Sequence, residues 1–267
     1  MIEEPTPSWR RYDRRASIRR YLLLFAGLLV LIGSWRQLEV RYDYVVTAPW
    51  EIQDLTSRMF PPDVAYTGEI VAPMIETVHM SILGTGLAIV ISVPIAYLAA
   101  ENVSPHWTLT YLGKLVIAVT RSVSAIIWAL IFVVMFGPGA LAGVLALAIR
   151  SVGFVGKLLA EAIEEIDPTQ AEAVTATGAG AVSTFVYGIV PQIKPAFIGI
   201  ATYRWDINIR GATVLGLVGA GGIGLELNAA IDRLHWSSVL TILIAILIVV
   251  VVSEVVSAYL RRKVGGI

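Results

Sequence analysis

Cysteine is absent from all 267 positions. That absence excludes disulfide frameworks, zinc–thiolate sites and cysteine nucleophiles. Charge is also scarce: 15% of residues are Asp, Glu, Lys or Arg, against about 25% in a soluble domain. The three histidines, His79, His106 and His235, are scattered. No Asp-x-x-Asp pair or close carboxylate cluster lies where an apolar run would meet a membrane face. An integral-membrane enzyme therefore has little to work with, and no catalytic residue or metal ligand is assigned.

What fills the chain instead is apolar sequence, 57% by count, where soluble domains hold roughly 45–50%. A membrane-crossing helix needs about 20 mostly apolar residues. The run Tyr21–Trp35 is the core of a first span, read as uncleaved because no small-x-small site follows it. Residues 36–76 are polar, with four prolines and seven acids; they read as an external loop with a short amphipathic helix after Pro49. Thr77–Ala100, kinked at Pro94, is a second span, and Glu101–Lys114 a turn. Leu115–Phe136 is a third span, and Gly137-Pro138-Gly139 turns into a fourth from Ala140 to about Leu159. A fifth runs from Pro195 to Leu217 and a sixth from Ser237 to Leu260, with Trp236 and Tyr259 as interfacial anchors. The expected fold is an all-α integral membrane protein of about six helices. Its divisions are a basic tail at 1–20, a first span at 21–35, the loop 36–76, a core at 77–260 and a tail at 261–267.

Lysine and arginine favour the cytoplasmic side. With both termini inside, cytoplasmic segments hold twelve of these residues and external ones four, with four more in or near spans. The expected orientation is therefore both termini cytoplasmic, which also places the connection 161–194 in the cytoplasm.

That connection and the span after it form the stretch around which the chain is organised. Asp167-Pro168-Thr169 predicts an N-cap for a helix toward Thr177. Gly178 or Gly180 breaks it, and a second helix leads up to Pro191. The next span carries Arg204, Asp206, Asn208 and Arg210. Arg204 falls about 14 Å into the helix from Pro195, where charge is expensive. Asp206 and Arg210 are spaced to pair as a structural couple. Arg204 and Asn208 share a roughly opposite side. Arg204 has no carboxylate in its own span, so its guanidinium either meets an anion in a water-lined path or caps carbonyls of a neighbouring helix. Gly219, Gly221, Gly222 and Gly224 also fit G-x-G-x-x-G after the strand-like Ala212–Val218, but a span follows rather than a βαβ unit. They read as a turn or close helix crossing at the outer mouth.

Glu172-Ala173, then Gly178, then Pro191 resemble the EAA loop of ABC-importer permeases. Val174 stands at the second alanine, Gly188 at the hydrophobic position before the proline, and Val190 at the usual leucine. The run Tyr203–Arg210 through Gly219–Gly224, with Glu76-Thr77 and Pro191–Pro195, resembles the permease subunit of phosphonate-type ABC importers. The resemblance covers about Glu76 to the C-terminus. It implies a type I importer-permease fold whose coupling helices, around Glu172, Ala173, Gly178 and Pro191, sit on an ATPase. It further implies a substrate pathway at Arg204, Asp206, Asn208 and Arg210, with a gate or outer-mouth turn at Gly219–Gly224. The implied partners are a second copy of the chain, two ATPase subunits, an external solute-binding protein and the lipid bilayer, with no nucleic acid. No cofactor is expected on this chain, ATP and Mg being held by the ATPase. The expected place is the bacterial inner membrane. The expected cargo is a phosphonate, phosphate or phosphite; an amino acid is the alternative within the superfamily.

Overall fold

The computed structural model describes residues Arg14–Gly265. The basic positions Arg10 and Arg11 and the last two residues of the C-terminal tail lie outside them. Among the described residues every regular element is a helix. The chain divides into two compact units, Met1–Ser57 and Arg58–Ile267.

In the first unit, α1 (Arg14–Gln37) is longer than the span 21–35, because the helix takes in the arginines on its N-terminal side. Its apolar side chains are exposed throughout, as a helix facing lipid requires. α2 (Tyr42–Met59) follows, and the Trp35 indole N–H donates to the Tyr42 hydroxyl at 2.6 Å across the joint. α2 corrects the loop reading of 36–76. It begins before Pro49 and runs through it, forgoing a backbone hydrogen bond there.

The second unit opens with a 3-10 turn, Val64–Tyr66, where the Asp63 carboxylate accepts from Ala65 N at 3.1 Å. α3 then spans Thr67–Ala99. It starts before the expected Thr77 because Ile70 and Met74 already have a core to enter, formed with Ile223, Val239 and Ile242. Neither Pro73 nor Pro94 ends it. The third span is also corrected. It is two helices, α4 (Trp107–Ser122) and α5 (Ala125–Phe136), bent by 89°. Val123 and Ser124 are extended, and the Ser124 hydroxyl accepts from Ile127 N to start the second helix. α4 also takes in residues read as turn, from Trp107 onward.

α6 (Ala140–Glu164) is the central helix, with 61% of its apolar window buried against 33% for α3. α3 and α6 run parallel. Ser92 Oγ donates to Val152 O at 3.3 Å, and Asn102 Nδ2 to Ile163 O at 2.7 Å. The connection after α6 is α7 (Pro168–Ala176), α8 (Ala181–Thr184) and a π-helical turn, Phe185–Ile189. α9 (Val190–Leu215) continues without a stop. The second helix therefore does not end at Pro191: the proline stands in the first turn of α9, where its missing N–H costs little. The strand-like Ala212–Val218 is helical, ending in a 3-10 turn at Gly216–Val218. α10 (Ile223–Asp232) and α11 (Trp236–Gly265) complete the unit, and residues 261–265 are helical. Five helical runs are long and apolar enough to cross a membrane, and the bent α4–α5 pair makes a sixth.

Candidate functional site

At the centre of the second unit α9 crosses α6 and α3 through buried polar side chains. Arg204 is 4% exposed and Asn208 fully buried. One turn apart, they share the face toward α6. Arg204 Nε donates to Ser151 Oγ at 2.7 Å. Asn208 Nδ2 donates to Ser151 Oγ at 3.0 Å and to Thr85 Oγ1 on α3 at 2.9 Å. Each hydroxyl has a carbonyl of its own helix in reach for its single proton, Leu147 O at 2.5 Å from Ser151 Oγ and Ser81 O at 2.7 Å from Thr85 Oγ1, with Asn208 Oδ1 a longer acceptor at 3.2 Å from Ser151 Oγ. They are thereby left as acceptors for Arg204 and Asn208. The Arg204 guanidinium lies over the Phe154 ring, 5.2 Å from its centroid.

Asp206 and Arg210 lie on another side of α9. They pair, as their spacing predicts. The Asp206 carboxylate also accepts from Ser253 Oγ on α11 at 3.1 Å. Thus the four polar residues of this span form two sets: Arg204 and Asn208 join α9 to α6 and α3, and Asp206, paired with Arg210, joins it to α11.

The glycine-rich turn is built into the protein rather than loosely tethered. Residues Gly221, Gly222, Ile223 and Gly224 are buried. Gly221 and Gly222 have φ of +85° and +72°, a region open to glycine at little cost. The turn is held from α3 by Glu76 Oε1, which accepts from Gly222 N at 3.2 Å, and by Thr77 Oγ1, which accepts from Ile223 N at 2.8 Å. Gly139 N donates to Gly219 O at 2.9 Å on its other side. The segment is a turn, and it is closely packed against α3.

In the connection between α6 and α9, the Asp167 carboxylate caps α7 by accepting from Thr169 N at 3.0 Å, as expected. Glu172, Ala173 and Gly178 are all exposed, and Gly178 ends the segment with φ +82°. Gly188 packs on α7: a Cβ there would stand 2.9 Å from Ala171 Cα. This explains why no larger side chain occupies that position. Gln192 ties the two parts together. Its Oε1 accepts from Asp167 N at 3.0 Å, and its Nε2 donates to Gly188 O at 2.7 Å.

A polar helix crossing in mid-span and an exposed helical connection between two spans are the parts of a transport machine. Residues 92–266 match the family described as binding-protein-dependent transport system inner membrane component. The chain belongs to that family. It is 37% identical over 265 residues to the phosphite transport system permease protein PtxC of Stutzerimonas stutzeri, covering 92% of this chain and 95% of that one. It is 39% identical over 236 residues to the phosphate-import permease protein PhnE of Mycolicibacterium smegmatis, covering 87% of this chain and 43% of that one. Among solved structures, the inward-facing MetNI methionine ABC transporter aligns at TM-score 0.66 and 20% identity, over 76% of this chain and 99% of the other. An amino acid ABC transporter solved with histidines aligns at TM-score 0.62 and 19% identity, over 75% and 96%. These likenesses give the fold, that of type I ABC importer permeases.

For this multi-pass membrane chain, membership of a binding-protein-dependent transport family implies a solute-binding protein and an ATPase as partners and a dimeric arrangement. Ser151, Thr85, Phe154 and Gln192 are site residues that sequence reasoning passed over. The first three sit in apolar spans with no local signal. Gln192 follows the proline and was visible only as part of a motif.

One outcome tests the role of Gln192. Gln192→Ala should leave the spans folded yet speed amide exchange across 168–176 by about tenfold, reflecting a loss of roughly 1–2 kcal/mol of hydrogen bonding. Unchanged exchange would show that apolar packing alone holds α7.

Proposed function

We propose that this chain is the permease subunit of an ATP-driven importer for a phosphorus oxyanion: phosphite, phosphate or a phosphonate. The observation that carries the reading is Arg204, a guanidinium buried midway along a span, with no carboxylate paired to it among the described residues. Such a charge costs about 2.5–3.5 kcal/mol on insertion scales. A compensating use is an anion that passes it. The near-full-length likeness to a phosphite permease supports the same class of cargo. An amino acid cargo draws support only from the fold likeness at 20% identity.

In this reading the chain performs no chemistry of its own. ATP and Mg are held by two ATPase subunits, and the permease works as a pair of identical copies in the inner membrane. Glu172, Ala173 and Gly178 present the exposed face on which an ATPase docks. Pro191 and the Gln192 ties hold that face rigidly against α9, so a push on α7 reaches the crossing. Arg204 and Asn208 line the path. Asp206, paired with Arg210, instead keeps α9 against α11. The turn at Gly219, Gly221, Gly222 and Gly224 closes the end of the path away from α7, gripped by Glu76 and Thr77. Both termini are cytoplasmic, as the lysine and arginine bias requires. A reporter fused after Pro62 should therefore read outside, and a cytoplasmic signal there would overturn the orientation.

Docking is tested by bulk. Gly178→Trp should insert and assemble, but solute should no longer stimulate ATP hydrolysis in the purified complex. Retained stimulation would remove this segment from the coupling role.

Arg204 is tested by uptake per assembled complex. Arg204→Met, which keeps length and loses charge, should cut phosphorus-oxyanion uptake by about a hundredfold while assembly stays normal. Arg204→Lys keeps the charge but not the planar fork and should be partly active. A normal rate per complex in Arg204→Met, with less protein assembled, would make the residue scaffold.

A further inference from the structure

A second guanidinium, that of Arg150, stands on the helix that holds Arg204. Arg150 lies on α6, next to Ser151 and one turn before Phe154. Residues four apart share a helix face, so Arg150 and the ring under Arg204 lie on one stripe. Arg150 adjoins Ser151, the residue whose hydroxyl holds the Arg204 guanidinium. It is half-buried and makes no hydrogen bond or ion pair among the described residues. Arg204 spends only its Nε, on Ser151. Its two terminal amino groups hold no hydrogen bond among the described residues. Depth agrees as well: Arg150 lies about 15 Å along α6 from Ala140, and Arg204 about 16 Å along α9 from Leu215.

Two cations that lack a shared carboxylate repel each other, and more strongly where water is thin. Elsewhere in this unit Lys114 pairs with Glu101, Lys157 with Glu161 and Arg210 with Asp206. Arg150 and Arg204 have no such partner among the described residues.

We propose that Arg150 and Arg204 together form a transient binding site for a tetrahedral phosphorus oxyanion, halfway across the permease. The Ser151 hydroxyl, by fixing Nε, leaves the terminal amino groups of Arg204 unspent. Arg150 supplies a second planar fork, matched to oxygens on the same phosphorus. Phe154 backs the site with a ring face that holds the Arg204 cation by its quadrupole. An arriving dianion relieves the repulsion between the two guanidinium groups. Its departure restores that repulsion, which keeps the site from trapping its cargo. The selection for charge is thus made a second time, after the binding protein has made it once. This inference rests on the reading of Arg204 as part of the path.

The test uses the full complex, permease with its ATPase and binding protein, in proteoliposomes. Labelled phosphite, phosphate and methylphosphonate are supplied, and those that the unsubstituted complex carries are followed. The variants are Arg150→Met, Arg150→Lys, Arg204→Met and the Arg150→Met/Arg204→Met double substitution. Expected are normal assembly, retained ATPase stimulation by the loaded binding protein, and uptake per complex down about tenfold or more in Arg150→Met. Arg150→Lys should recover most of the loss, and the double variant should be little worse than Arg204→Met alone, as for groups that act as one unit. Normal uptake per complex in Arg150→Met beside a defective Arg204→Met would overturn the pair but leave Arg204 in the path. Normal uptake in both would overturn the path as well. Reduced assembly of Arg150→Met with a normal rate per complex would make Arg150 a packing residue. If none of the probes is carried, the functional reading falls and this site with it.

Discussion

A bilayer offers no water to a buried donor or acceptor, so every polar group at mid-depth must find its partner inside the protein. In this chain much of that constraint is met where α9 crosses α6 and α3; the Trp205 indole N–H and the terminal amino groups of Arg204 are left over. Ser151 and Thr85 each have a carbonyl of their own helix in reach for their proton. Their oxygens are then free to take the protons of Arg204 and Asn208. The arrangement fixes the rotation of α9 about its axis and the register of α6 beside α3. It also leaves Arg204 with a charge and unspent donors. A structural role alone would be served as well by a neutral side chain, at lower cost.

The crossing is connected mechanically to both ends of the second unit. In one direction α9 is continuous through a π-turn to the segment that packs on α7, and Gln192 binds the Asp167 cap on one side and the Gly188 carbonyl on the other. In the other direction α9 leads into the glycine turn clamped by Glu76 and Thr77 of α3. α11 is tied in from the side through Asp206 and Ser253. Continuous helix and these hydrogen bonds thus join α7 to the crossing. The π-turn, a rare element that recurs at functional sites, lies on that route.

Much of this was legible in the sequence, and for physical reasons. Spans announce themselves by apolar length, and the Asp206–Arg210 pair and the Asp167 cap are local, set by spacings of a few residues. What was hidden depends on other helices. Leu115–Phe136 reads as one apolar run, and only Arg121, Ser122 and Ser124 hint at the bend between α4 and α5. α3 begins early because Ile70 and Met74 have Ile223 and Ile242 to pack on, residues far along the chain. Gly188 departs from the usual hydrophobic position because Ala171 stands against it. Arg204 was visible as an unneutralised charge, but Ser151 and Phe154, which aim it, are ordinary residues in an apolar span. Arg150 acquires meaning only from adjoining the residue that holds it.

The most direct measurement is ATP-dependent accumulation in liposomes holding the unsubstituted permease with its ATPase and binding protein, offered labelled phosphite, phosphate, methylphosphonate and methionine in parallel. The account predicts accumulation of at least one of the phosphorus oxyanions and none of methionine. Accumulation of methionine without any phosphorus oxyanion would contradict it.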